Sequence, residues 1–268
     1  MSESIEPIFI SSKENPFVKQ LRLLTSENMK YRKMGKVWIE GEHLCHALMI
    51  YPTYTFEAVF EKIYWDSISF DLQKKYARAA QKIYLLDHAL MKNLSTLSSP
   101  QAMGFVIDLS VTPVIEPLMP SVILDGVQDA GNVGSILRTA AAFGFVQILA
   151  IKGTAALWGP KVLRAGMGAH FGLHLIESID EDAIDALQIP ILATSSHQGQ
   201  SLKLSSKISM PCAWLFGHEG QGVREEMSHR ATDWIRIYQP GGEESLNVAA
   251  AAAICMHASA TNASTRPN

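Results

Sequence analysis

Residues 125–140 read DGVQDAGNVGSILRTA and directly follow the apolar run Ser121-Val122-Ile123-Leu124. The apolar run predicts a buried strand, and the glycines after it predict a strand-to-helix turn at which backbone can approach a ligand closely. We expect the helix to begin near Gly134 and to run through Ala142. The stretch matches neither the dinucleotide-binding glycine pattern nor the P-loop pattern, which disfavours phosphate-binding enzymes of those classes.

Two further glycine-rich blocks follow in the second half of the chain. Residues 215–223 read LFGHEGQGV, a strand entering a loop that holds the single carboxylate Glu219. Residues 237–248 read IYQPGGEESLNV and lead into the alanine-rich segment that we predict to be a helix over 245–259. There Ser245 is a candidate helix N-cap and Asn247 a first-turn residue.

Strand and helix patterns alternate along the whole chain. In the second half, apolar runs at 146–151, 191–194 and 213–216 add strands to the one at 121–124. In the first half, strands are predicted at 37–39, 58–60, 82–85 and 104–107, with helices entered at Asn15-Pro16 and over 42–50 and 71–80. The pattern predicts an α/β fold, with a mostly parallel sheet between helices in the second half.

A proline-rich stretch separates the halves. Pro113, Pro117 and Pro120 disfavour a regular helix and favour an extended spacer. We therefore predict a first domain at 8–110, a linker at 111–120 and a second domain at 121–260.

Composition fits an ordinary globular enzyme, with 47% hydrophobic and 18% charged residues. No long apolar run or signal-peptide core is present, so we expect a cytoplasmic protein with no membrane partner. Three widely spaced cysteines without a Cys-x-x-Cys pair argue against disulfides and zinc. His170 and His174 share a face only if their segment is helical, and that segment is more typical of a strand or loop, so no metal site is expected.

The net charge of −3 by itself disfavours a nucleic-acid partner, but the charge distribution is uneven. Residues 13–36 hold seven basic residues against two glutamates. This excess is either a solvated helix face or an electrostatic footprint for RNA.

Together and in this order, the three glycine-rich blocks resemble the three motifs of the SpoU (TrmH-like) RNA 2′-O-ribose methyltransferases, in the knotted SPOUT superfamily. Residues 159–169 and, near the N-terminus, residues 11–19 and 38–41 are similar to further parts of that family, including its small α/β substrate-binding domain. Ala130, Gly166 and the sequence Gln239-Pro240-Gly241 depart from the commoner family residues. The resemblance implies a trefoil-knotted catalytic domain, S-adenosylmethionine as cofactor and RNA as substrate.

Mapped onto this chain, the resemblance implies three sets of residues. Catalytic and positioning roles fall on Asn132, Arg138, Glu219, Ser245 and Asn247. Cofactor contacts fall on Thr194, Leu215, Gly217, Gly220, Gly222, Ile237, Gln239 and Leu246. RNA contacts fall on Lys13, Lys19, Arg22, Arg32 and Lys33, together with Arg138.

The chemistry of the side chains limits the roles that Arg138 and Glu219 can have. A guanidinium is a poor base, so Arg138 is better suited to clamping a phosphate, with the hydroxyl proton removed by water or a neighbouring acceptor. Glu219 is either that acceptor or a group that orients Asn132 and Arg138. The family also implies a homodimer through the C-terminal domain, with Arg138 reaching toward the partner's cofactor.

Several alternatives stay open at the level of sequence. Ribosomal RNA is favoured over transfer RNA because of the appended N-terminal domain. A base methyltransferase of the same superfamily and a non-catalytic RNA-binding member are the rivals. The retained polar residues of the three motifs argue against the non-catalytic reading.

Overall fold

The computed structural model describes residues 5–95, 99–109, 113–203, 208–241 and 245–263. The chain divides into two compact units, Met1–Val111 with Trp158–Pro160, and Thr112–Leu157 with Lys161–Asn268. Among the described residues, no helix is long and apolar enough to cross a membrane.

The first unit is an α/β layer with one mixed sheet. Its elements are β1 (Ile8–Ile10), α1 (Pro16–Ser26), α2 (Lys30–Met34), β2 (Lys36–Glu40), α3 (Glu42–Leu48), β3 (Phe56–Glu61), α4 (Lys62–Ser67), α5 (Phe70–Ala79), β4 (Lys82–Leu86), α6 (His88–Leu94) and β5 (Met103–Asp108). The strand order is β1-β4-β3-β5-β2, in which β5 pairs antiparallel with both β3 and β2. The four strands predicted in this half are confirmed, whereas β1, α2, α4 and α6 were not predicted.

Aromatic side chains hold this sheet to its helices. Phe56 stacks on Phe105 with ring centroids 4.3 Å apart, and Phe60 lies 4.9 Å from the ring of Tyr76 on α5. All four are buried. Such pairs contribute beyond their buried area, so Phe56 and Phe105 hold β3 to β5 and the contact of Phe60 with Tyr76 holds α5 on the sheet.

The second unit is built on a parallel sheet. Its elements are β6 (Ser121–Asp125), α7 (Ala130–Phe143), β7 (Gln147–Ile151), α8 (Pro160–Gly166), β8 (His174–Ile179), β9 (Ile191–Thr194), β10 (Gln200–Leu202), β11 (Ala213–Gly217), α9 (Glu225–Ser228), β12 (Asp233–Ile237) and α10 (Val248–Ala263), with short 3₁₀ helices at Ala169–Gly172 and Glu181–Ala186. The order is β10-β12-β9-β11-β6-β7-β8, and every pair is parallel. The four strands predicted here are confirmed, and the α/β fold with them. The trefoil knot implied by the family resemblance stays a prediction.

The sheet is buried on both faces, as parallel sheets usually are. Residues such as Ile123, Leu149, Ala193 and Leu215 form its core and are less than 1% exposed. The proline-rich segment predicted as a spacer, 111–120, is tied to this unit over its described part. There Glu116 donates its N–H to Gln147 Oε1 at 2.8 Å, and Pro117 accepts from the N–H of Gln188 at 2.9 Å.

Helix α7 begins earlier than the sequence predicts. It starts at Ala130 rather than near Gly134, because the Asp129 side chain caps it by accepting from the N–H of Asn132 at 2.8 Å. Gly134 serves packing instead: a Cβ there would lie 2.4 Å from Ala165 Cβ and 2.8 Å from Val162 O on α8. Gly134, one of the glycines that suggested a loop, therefore allows two helices to approach closely.

Helix α10 begins later than predicted, at Val248 instead of Ser245. Its cap is Asn247, whose Oδ1 accepts from the N–H groups of Ala249 at 2.9 Å and Ala250 at 3.2 Å. The assignment of the cap to Ser245 is wrong, because the asparagine closer to the helix satisfies its first free donors.

We expect Gly134→Ala to lower the free energy of unfolding by about 1–3 kcal/mol, because the added methyl would meet backbone atoms that cannot turn away. This loss should exceed the helix-propensity gain of about 1 kcal/mol that alanine brings. Ser135→Ala, at an exposed position on the same helix, is the control and should change it by less than about 0.5 kcal/mol. Urea denaturation measures both, and equal midpoints would contradict the close approach.

Candidate active site

A cavity of about 720 Å³ lies in the second unit, at the carboxyl ends of the neighbouring strands β12, β9 and β11. Ligands of open parallel sheets bind at this edge of the sheet. Its walls are the segments that leave these strands and the start of α10. They comprise residues 194–198, residues 217–223, Trp234, Ile235, Ile237, Gln239, residues 245–248 and Ala251.

Glu219 joins the second motif to the first. Its Oε1 accepts from Asn132 Nδ2 and from the N–H of Asp129, both at 3.1 Å, and its Oε2 accepts from the N–H of Gln128 at 3.3 Å. The carboxylate therefore sits at the N-terminal end of α7, where free N–H groups and the helix dipole favour a negative charge.

The same contacts set the ionisation of Glu219. Burial raises its pKa, but hydrogen bonds from its own backbone and from Asn132, Asp129 and Gln128 outweigh burial and lower the pKa below 4.5. Glu219 is therefore ionised at neutral pH and is a weak base. This favours its orienting role over the role of proton acceptor.

Asn132 and Asn247 extend this contact to the third motif. Asn247 Nδ2 donates to Asn132 Oδ1 at 2.9 Å, while Asn247 Oδ1 accepts from the first N–H groups of α10. Each amide thus has its oxygen and nitrogen fixed by its partners. We call the series Glu219–Asn132–Asn247 the amide relay. It brings together three of the five residues predicted as catalytic.

The remaining two predicted catalytic residues lie outside the amide relay. Ser245 lines the cavity ahead of α10. Arg138 lies six residues after Asn132 on α7, about 9 Å further along the helix axis. Its side chain leaves the helix about two-thirds of a turn away from that of Asn132. The Arg138 side chain is exposed and forms no hydrogen bond or ion pair with another described residue. Glu219 accepts a hydrogen bond from Asn132, whereas no hydrogen bond or ion pair joins Glu219 to Arg138 among the described residues.

Seven of the eight predicted cofactor residues line the cavity: Thr194, Gly217, Gly220, Gly222, Ile237, Gln239 and Leu246. Leu215 does not. Its side chain is buried in the sheet core, because it belongs to β11 itself rather than to the loop that follows. Its carbonyl accepts from Thr194 Oγ1 at 3.2 Å, which connects β9 to β11 near the cavity.

Sequence reasoning missed several groups at this site. His218 Nδ1 accepts from the N–H groups of Gly220 at 3.0 Å and Gln221 at 3.3 Å, so the histidine shapes the turn of the loop. Residues 196–198 and Trp234 also line the cavity. Residues 196–198 could have been predicted to line the site, because they come soon after the predicted strand at 191–194. Trp234 lies within β12, where the sequence carries no such signal.

The two histidines considered for a metal have other partners. His170 is fully buried, and its Nε2 lies 2.9 Å from the carbonyl of Leu157. Burial lowers the pKa of His170 to about 4. His174 Nε2 lies 2.6 Å from the carbonyl of Val114. Over the described ranges, no group of three or more His, Cys, Asp or Glu could hold a metal ion.

The predicted RNA contacts of the first unit lie on and around α1 and α2. Lys13, Arg32 and Lys33 are exposed, and Arg22 is partly buried. Lys19 forms an ion pair with Glu14 at 2.7 Å, which lowers the pKa of Glu14 through the hydrogen bond and the charge of the lysine. An exposed pair of this kind is worth little and breaks readily, so Lys19 can still meet a phosphate.

The cavity fits the nucleoside cofactor that the sequence resemblance implies. Its volume is within the range of small-molecule sites, and its walls combine apolar, hydroxyl and glycine surfaces. Gln239 Oε1 is buried without a hydrogen-bond partner among the described residues, an acceptor beside the cavity that a ligand donor can satisfy. Gly217 permits a narrow loop base, since a Cβ there would lie 2.1 Å from Gly222 C.

These features define an α/β enzyme with a small-molecule site at the carboxyl ends of parallel strands. The hydrogen-bonded side chains of the amide relay lie beside that site. The family model of the SpoU rRNA methylases matches residues 119–257, just over half of the chain. The protein belongs to the SpoU rRNA methylase family.

Individual relatives cover almost the whole chain. The Bacillus subtilis 23S rRNA (guanosine(2553)-2′-O)-methyltransferase RlmP is 27% identical over 92% of this chain and 97% of its own length. A solved structure of a TrmH-family protein from Porphyromonas gingivalis is 30% identical, covers 90% of this chain and 95% of its own, and has a TM-score of 0.75. The AdoMet-bound rRNA methyltransferase from Sinorhizobium meliloti is 25% identical over 94% of this chain and 97% of its own, with a TM-score of 0.79.

The lowered pKa of Glu219 predicts a pH-dependent loss of stability. Its ionised form stabilises the fold fully above the unfolded value of 4.5, and this contribution disappears as the pH falls through the lower folded value. We expect the difference in Tm between wild type and Glu219→Gln to be constant near neutral pH and to shrink below pH 4.5. Calorimetry at a series of pH values measures it.

Glu226→Gln, at an exposed position on α9, is the matched control. A difference between wild type and Glu219→Gln that persists unchanged down to about pH 3 would show that the shape of the side chain, not its charge, holds the loop.

Proposed function

We propose that this protein transfers the methyl group of S-adenosylmethionine to a ribose 2′-hydroxyl of ribosomal RNA. The observation that carries this proposal is the amide relay, which joins the three family motifs beside one cavity. The names of the relatives give the reaction and the substrate class: RlmP is a guanosine 2′-O-methyltransferase of 23S rRNA, and the Sinorhizobium meliloti protein was solved with AdoMet. We place the protein in the cytoplasm with its substrate.

Within this function the chain mainly aligns the reactants. S-adenosylmethionine supplies an activated methyl group on a sulfonium, and the transfer requires the hydroxyl oxygen in line with the carbon–sulfur bond. Gly217, Gly220 and Gly222 let the loop close around the cofactor. The amide relay holds the N-terminal end of α7 against this loop and against α10, so the cofactor wall and the RNA-facing helix keep one geometry.

Arg138 acts on the RNA side of the reaction. Its guanidinium presents a fork of donors that suits a phosphate, so we assign it to clamping the RNA backbone beside the target ribose. Glu219, with its lowered pKa and occupied oxygens, does not take the hydroxyl proton. The proton passes to water or to another neighbouring acceptor.

The first unit supplies additional RNA binding. Lys13, Lys19, Arg22, Arg32 and Lys33 cluster within one segment of the sequence and give it a local positive charge despite the net charge of −3. Such a cluster attracts phosphates at long range and is screened by salt. We assign this unit to holding the substrate while the second unit performs the transfer.

The reaction is tested with purified protein, EDTA, cofactor carrying a labelled methyl group and, in parallel reactions, ribosomal RNA and transfer RNA. Digestion to nucleosides should place the label in a 2′-O-methylnucleoside. We expect Arg138→Ala to reduce transfer by about a hundredfold or more, while calorimetry shows cofactor affinity within about twofold of wild type. Arg138→Lys, which keeps the charge but loses the fork, should recover part of the activity.

Arg78→Ala, at an exposed position on α5, is the control for loss of a positive charge and should retain transfer. Label in a methylated base would replace the proposal with base methylation, and label only in transfer RNA would change the substrate. Bound RNA without label would indicate a non-catalytic protein. Equal loss of cofactor binding and transfer in Arg138→Ala would place Arg138 at the cofactor.

We also propose a homodimer through the second unit. Helix α10 packs its buried residues Ala252, Cys255, Met256 and Ser259 inward and leaves a stripe of two apolar and two polar residues exposed. The exposed stripe comprises Ala250, Ile254, His257 and Thr261, and α10 contacts α7, on which Arg138 is exposed. A symmetric interface on this surface would bring Arg138 toward the partner subunit, which accounts for its distance from the amide relay in its own chain.

Subunit mixing tests the shared site. Gly220→Trp fills the cavity from a position where an added Cβ makes only ordinary contacts of 3.8 Å with His218, so it should block the cofactor without disturbing the fold. Mixed in equal amounts with Arg138→Ala, it should restore about a quarter of wild-type activity, because half the dimers are mixed and each has one complete site. Each variant mixed with itself is the control. No recovery from two folded, exchanging variants, or full activity from a monomer in sedimentation, would contradict the shared site.

A further inference from the structure

An ion pair between a buried carboxylate, Asp125, and a partly exposed arginine, Arg224, closes the base of the glycine-rich loop. Asp125, the last residue of β6, is 0% exposed, and Arg224 directly follows the loop. Asp125 Oδ2 accepts from the backbone N–H of Arg224 at 2.9 Å, and Oδ1 accepts from its Nε at 2.7 Å and lies 2.5 Å from Nη2. Hydrogen bonding to Asp125 is the main cause that raises the pKa of Arg224.

Both ends of the glycine-rich loop are attached to Asp125. Gly217, where the loop leaves β11, is the strand partner of Asp125, and Arg224, where the loop ends, binds the Asp125 side chain. Within the loop, His218 and Gly222 exchange two backbone hydrogen bonds of 2.9 and 2.8 Å. The loop is therefore closed at its base by Asp125, while its tip is attached to α7 through Glu219.

We propose that the Asp125–Arg224 pair is a positioning pair that sets the affinity for S-adenosylmethionine without touching it. The inference rests on the proposed function, because it concerns the wall of the same cavity. Neither residue lines the cavity, yet the six residues between Gly217 and Arg224 all do. A buried carboxylate that loses its partner must recruit water or another donor, and the base of the loop opens to admit it.

Arg224 has a second contact that permits a clean comparison. Its Nη1 lies 2.8 Å from Glu181 Oε1 on the second 3₁₀ helix. Arg230 binds the same 3₁₀ helix, through Asp182 at 2.6 Å and Asp185 at 2.8 Å, but it has no contact with Asp125. Both arginines thus hold the 3₁₀ helix, and only Arg224 also holds the loop.

The test compares Arg224→Ala, Arg224→Lys and Arg230→Ala in the full-length protein. Calorimetry gives the Kd for S-adenosylmethionine, and steady-state methylation of ribosomal RNA gives KM for the cofactor and kcat. We expect Arg224→Ala to raise Kd and KM about tenfold or more with kcat at saturating cofactor within about threefold of wild type. Arg224→Lys should recover part of the affinity, since it restores the charge without the fork. Arg230→Ala should keep Kd within about twofold of wild type.

Two results would overturn the inference. One is an Arg224→Ala protein that binds the cofactor like wild type. The other is an equal rise in Kd for Arg230→Ala and Arg224→Ala, which would assign the effect to the 3₁₀ helix. If Arg224→Ala does not fold by circular dichroism, the comparison of Arg224→Lys and Asp125→Asn with wild type decides. A wild-type protein that binds no S-adenosylmethionine would instead refute the proposed function, so the two failures are distinct.

Discussion

The carboxylate of Glu219 at the start of α7 is the contact on which the site depends. It connects a loop after β11 to a helix after β6, segments about ninety residues apart in the chain. The helix start provides free N–H donors that need an acceptor, and the glycine-rich loop provides one that is negatively charged. Because each satisfies the other, neither segment needs a ligand to hold its conformation.

The direction of the hydrogen bonds in the amide relay follows from its two ends. At one end the first N–H groups of α10 can only donate, and at the other the Glu219 carboxylate can only accept. Asn247 and Asn132 between them are therefore oriented without ambiguity, each accepting on its oxygen and donating from its nitrogen. A fully satisfied network of this kind is rigid. It suits a reaction in which alignment matters more than proton transfer.

Burial and capping explain which features the sequence predicts. Apolar runs such as those at β6 and β11 identify central parallel strands, because such strands are buried on both faces. The start of α7 was misplaced because Gly131 and Gly134 suggested a loop, although Gly134 is required by the approach of α8. The core position of Leu215 and the cap at Asn247 depend on where an element ends, which sequence patterns locate poorly.

The candidate site shows a similar division. The motifs identify the loops that surround the cavity, because glycine and polar residues that follow an apolar strand can be recognised in the sequence alone. The side chain of Asn132 was predicted from the sequence as a partner of Glu219, but the other two partners were not, since Gln128 and Asp129 contribute only backbone N–H groups, which any residue other than proline would supply. The Asp125–Arg224 pair was not predicted either, because aspartate and arginine are common residue types and nothing in the sequence marks these two as partners.

The position of Arg138 relative to the amide relay is not explained by the fold of a single chain. A helix can direct a residue to the same side as Asn132 at positions three, four or seven further on, and Arg138 is six further on. The chain thus places Arg138 away from its own amide relay, on a helix that packs against α10, which carries the exposed stripe. A guanidinium that only served solubility would have no reason to occur within the first motif. Its position is explained if the RNA backbone, and the cofactor of a second subunit, approach from that side.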